Sequence, residues 1–131
     1  MRTLYAVVSW ALLGLGVLHV IASASRFTSV SADALWFISA GLLMVLVAAV
    51  NLLNRAYGDA APGLRRVCIA ANFVNLGLAT AGGVVTHARF VQWLVVLAIL
   101  VPLTLIPLLS VAQRQERTGF GAAHPVKRPD R

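Results

Sequence analysis

Asn51, Asn72, Asn75 and His19 lie inside long apolar runs and His87 beside one, and that setting limits what they can do chemically. His19 falls inside LYAVVSWALLGLGVLHVIASA, residues 4–24, and His87 closes a third apolar run. An imidazole in such a place is an acid–base group, a metal or haem ligand, or a hydrogen-bonding contact between helices. Bis-imidazole haem ligation needs two histidines at one depth. His87 is expected about five residues further out than His19, and neither stands in a zinc or haem spacing. No metal and no cofactor is therefore expected, with haem the weaker alternative. The single Cys68 provides neither a disulfide nor a CxxC pair and reads as a small apolar filler. The serines near His19 lack an identifiable acid partner, so nucleophilic catalysis has no support. Asn51, Asn72 and Asn75 could hold water or a polar ligand, but asparagines facing small residues read first as helix-packing groups. Their hydrogen bonds are worth roughly 0.5 to 2 kcal/mol each.

The composition says what must position these residues. The 131-residue chain is 60% hydrophobic and 11% charged, with a mean hydropathy of +0.85. Soluble domains carry about 25% charged residues. Four apolar runs, at about 4–24, 34–53, 67–86 and 91–112, are each long enough to cross a bilayer. They define an all-α, integral membrane four-helix bundle. Residues 113–131 form a basic tail with Gly119, Gly121, Pro125 and Pro129 and read as disordered. Arg2, the first apolar run and Ala22-Ser23-Ala24 together resemble a cleavable signal peptide. The run exceeds the usual apolar core of about 7 to 15 residues, so an uncleaved span is expected.

Each run carries a stripe of small and polar residues. At 100° per residue, Leu12, Gly16, His19, Ser23 and Arg26 share an arc of roughly 80°. Gly41, Met44, Ala48, Asn51 and Arg55 share another. On the third run Asn72, Asn75, Ala79, Gly82, Gly83 and Thr86 form the longest such stripe, which places that helix deepest in the bundle. Ser31 or Asp33 can cap the second helix, and Asn54–Arg66, with Gly58, Pro62 and Gly63, reads as the central loop. Pro102 and Pro107 should bend the fourth helix.

Antiparallel spans have one strongly basic end. If both termini share a side, that side holds nine of the eleven Lys and Arg residues, and the other holds Arg26 and Arg89. The positive-inside rule then gives an up-down-up-down bundle with both termini cytoplasmic, in the inner (cytoplasmic) membrane. Although the net charge is +7, the cations flank apolar spans, so the expected partner is the lipid bilayer and nucleic acid is not. This arrangement gathers His19, Ser23, Arg26, Asp33, Thr86, His87, Arg89 and Gln92 towards the outer leaflet, near Trp36 and Trp93. His19 there is expected to hydrogen-bond a neighbouring group and lock packing.

Two functions are consistent with these features. The first is a non-enzymatic accessory or interaction subunit, as a homo-oligomer or beside a membrane-protein partner. The alternative is a binder or enzyme for a lipophilic small molecule at the outer leaflet. There His19 would be the acid–base or polar contact, Arg26 or Arg89 would neutralise an anionic group, Trp36 and Trp93 would line the entry, and Ser23, Thr86 and His87 would be further contacts. No Asp or Glu lies inside a span, which argues against proton-coupled transport.

Overall fold

A computed structural model describes residues 2–123, and the side chains of residues 2–110. The chain forms four helices, α1 (Arg2–Arg26), α2 (Ala32–Tyr57), α3 (Pro62–Val85) and α4 (Phe90–Ala123). All four contain a segment long and apolar enough to span a membrane, as expected of a multi-pass membrane protein. They pack as a ring, α1 on α2, α2 on α3, α3 on α4 and α4 back on α1. Tyr5, Val8, Leu12, Val47, Ala48, Leu100 and Leu103 form the apolar core, with Ala71, Leu76 and Ala79 of α3 against it. Large apolar residues such as Trp10, Leu18, Ile21, Leu46, Phe73 and Leu105 face outward on every helix. Such a distribution suits hydrocarbon surroundings.

The helix ends follow from local chemistry. Ser31 caps α2 by accepting the Ala34 N–H at 3.2 Å. The central loop is much shorter than Asn54–Arg66: α2 continues to Tyr57 and α3 begins at Pro62. Proline fits the first helical position because the N–H it lacks would have no intrahelical partner there. Between α3 and α4 the chain turns over residues 86–89. His87 N–H bonds the Val84 carbonyl at 3.2 Å and Ala88 N–H the Gly83 carbonyl at 2.8 Å, the paired bonds of a Schellman motif. His87, with φ of 50°, occupies the left-handed position that glycine usually takes. Gln92 then reaches back to accept the Arg89 N–H at 2.7 Å, capping α4. The fourth helix also continues beyond the expected end of its span at Ala112, to Ala123. Gln113 to Arg117 are good helix formers extending a helix already nucleated. The rest of the expected tail, residues 124–131, lies outside the described residues.

The closest approach joins α1 and α2. A Cβ on Gly16 would lie 2.8 Å from the Gly41 carbonyl oxygen, and one on Gly41 would lie 2.9 Å from that of Gly16. These glycines belong to the small-residue stripes of the first two runs. The third helix is not the deepest; its apolar window has the smallest buried share of the four. Gly77 and Gly82 have open space where a Cβ would stand. A small residue permits close approach but does not cause it, and the half of α3 from Gly77 onward has too little side chain to fill a core.

Two substitutions separate these environments. Gly16→Leu should destabilise the bundle by about 1 to 3 kcal/mol through overpacking against backbone. Gly77→Ala should be neutral or stabilise by up to about 1 kcal/mol through helix propensity. Thermal unfolding in mild detergent reads both, and equal effects would contradict the close crossing. His87→Gly should stabilise by about 1 kcal/mol by relieving the left-handed backbone; the same melting experiment checks it.

Candidate functional site

The groups that converge lie at the end of the bundle where α1 begins. Tyr5 donates its hydroxyl to Asn51 Oδ1 at 2.7 Å and accepts from Asn54 Nδ2 at 3.1 Å. Asn51 and Asn72 form a reciprocal amide pair, Nδ2 to Oδ1, at 2.7 and 3.0 Å. Cys68 Sγ lies 3.3 Å from both Asn51 Oδ1 and the Tyr5 hydroxyl. The second hydrogen on Asn51 Nδ2 goes to the Val47 carbonyl of its own helix at 2.8 Å. Tyr5, Asn51, Cys68 and Asn72 are all buried.

Asn72 completes the link to the fourth helix by donating to the Leu103 carbonyl at 2.8 Å. That carbonyl is available because of sequence. In a regular helix it would accept the N–H of residue 107, and residue 107 is proline, which has none. One side chain thus satisfies the acceptor that the proline left open.

This network is closed by a polar rim. Arg65 donates to the Gly58 carbonyl at 2.9 Å and to Asp59 at 2.8 Å, while Arg2 reaches Asp59 at 3.4 Å. The α1 start and the α2–α3 turn are therefore tied together at the bundle's end. Two buried polar atoms have no partner among the described residues, Asn54 Oδ1 and Asn75 Nδ2.

The opposite end is arranged differently. Among the described residues His19 has no hydrogen-bond partner; its ring stacks on Phe37, centroids 4.3 Å apart and planes inclined by 17°. The close Gly16–Gly41 crossing brings α2 against the His19 Cβ, and the residue that meets the imidazole across it is aromatic. Ser23 is buried and bonds the Val20 carbonyl of its own helix at 2.6 Å. Thr86 does likewise with Gly82 at 2.7 Å. Arg26, Asp33, His87 and Arg89 are exposed. Among the described residues the ion pairs belong to Asp59, so Asp33 pairs with neither Arg26 nor Arg89. Trp36 points outward, 65% exposed, and the Trp93 ring covers Gly83. His19 and Arg26 share the Phe37 ring, but among the described residues no hydrogen bond, ion pair or ring contact joins them to Thr86, His87, Arg89 or Trp93. Among the described residues no group of three His, Cys, Asp or Glu side chains could hold a metal ion.

Sequence reasoning missed Tyr5 and Cys68 as network members. Tyr5 was available to it, since two turns before Leu12 it falls within about 20° of the same stripe. The relation between Pro107 and Leu103 was also written in the sequence, but its partner Asn72 was not. No protein-family model, curated protein or solved structure matches the chain.

The link between Asn72 and Leu103 is testable. Asn72→Leu should cost about 1 to 2 kcal/mol by leaving the Leu103 carbonyl and Asn51 short of partners. Pro107→Ala restores a backbone N–H and should recover part of that loss, so a double-mutant cycle followed by thermal unfolding should show coupling. Additive effects would mean that the two residues do not serve the same carbonyl.

Proposed function

We propose that this is a multi-pass protein of the inner (cytoplasmic) membrane, an up-down-up-down bundle with both termini in the cytoplasm. Its role is that of a non-enzymatic accessory or interaction subunit, in contact with copies of itself or with a membrane-protein partner. The observation that carries this reading is where the buried polar groups go. The amides, phenol and thiol that meet inside the bundle bond one another or backbone carbonyls across four helices. Such bonds fix packing and leave no reacting group aimed at a substrate. The chemistry-bearing residues at the other end split between separate helix pairs, and several form caps and turns.

The contacts support antiparallel neighbours. The start of α1 meets the end of α2 through Tyr5 and Asn51, while His19 meets Phe37 nearer the start of α2. Asn51 with Asn72, then Asn72 with Leu103 and Gly83 with Trp93, repeat the pattern around the ring. The nine-to-two division of cations supports placing the Tyr5 end inside.

Orientation is checked by labelling with an impermeant maleimide in a Cys68→Ala background. Thr28→Cys should react in intact cells and Ala60→Cys only after permeabilisation; the reverse pattern would invert the topology. Native mass spectrometry from mild detergent tests the role. Defined copies, or a second polypeptide in fixed stoichiometry, are expected. A monomer holding a non-protein organic cargo that His19→Ala releases would favour the ligand-binding alternative.

A further inference from the structure

We draw no further inference here: the strongest candidate, the stripe of small residues on α3 from the buried Asn75 through Ala79 to Gly82, carries nothing, because Asn75 Nδ2, unpartnered among the described residues, is sealed inside the bundle and nothing in the structure aims it at the open space beside Gly82.

Discussion

A buried amide left without a partner is costly, and the Asn51–Asn72 pair is where this chain meets that constraint most fully. The pair is reciprocal, and each amide has one more donor hydrogen to place. Asn51 places it on Val47 of its own helix, and Asn72 places it on Leu103 of α4. The Tyr5 hydroxyl adds α1 through the Asn51 oxygen. Two asparagines thus touch all four helices. In hydrocarbon this matters more than apolar burial, because lipid tails solvate leucine as well as other leucines do. Apolar residues there permit many packings, while the hydrogen bonds select among them.

The remaining architecture fits around that node. Once Tyr5 is held by Asn51 and Asn54, the register of α1 against α2 is set, and Gly16 meets Gly41 about three turns further on. Bare backbone at both positions lets the helices touch there. Beyond the crossing the next residue on the α1 stripe is His19, and the α2 residue that meets it is Phe37. The α4 proline plays a complementary part. A proline in a span exposes a carbonyl, which in lipid must be satisfied by a neighbour; Asn72 supplies the donor and joins α3 to α4 by doing so.

Much of this was legible in residue patterns. Length and hydropathy gave the four helices, the stripe on the first run contained Gly16 and the stripe on the second contained Gly41 and Asn51, and Ser31 stood where a cap was needed. The failures share a cause. A stripe of small residues permits contact without requiring it, and so the long stripe of α3 does not make that helix deepest: a Cβ on Gly77 or Gly82 would stand in open space. Polarity alone likewise makes the Asn54–Arg66 segment read as loop. Asn54 and Arg65 remain helical because their polar ends turn back onto Tyr5 and Gly58, contacts that need the fold to exist first. For the same reason His19 was given a hydrogen bond: periodicity locates its face but says nothing of what the opposing helix presents, and that is an aromatic ring. Pairings across helices depend on register, and no single run encodes register.

The two ends of the bundle therefore differ in kind. At the Tyr5 end the side chains of Asn51 and Asn72 are matched within the chain, and the arginine least exposed there, Arg65, is held by Asp59 and a backbone carbonyl. A closed network of that sort resists change and gives an incoming molecule little to bind. At the other end His19 and Arg26 are set around one aromatic ring, Phe37, and remain accessible. Stability gains less from that arrangement than from the buried amides, since Arg26 and Asp33 are exposed and His19 contributes a ring contact without a hydrogen bond among the described residues. The buried asparagines thus fix the packing of the four helices, while the accessible groups around Phe37 leave that packing largely to the Gly16–Gly41 crossing.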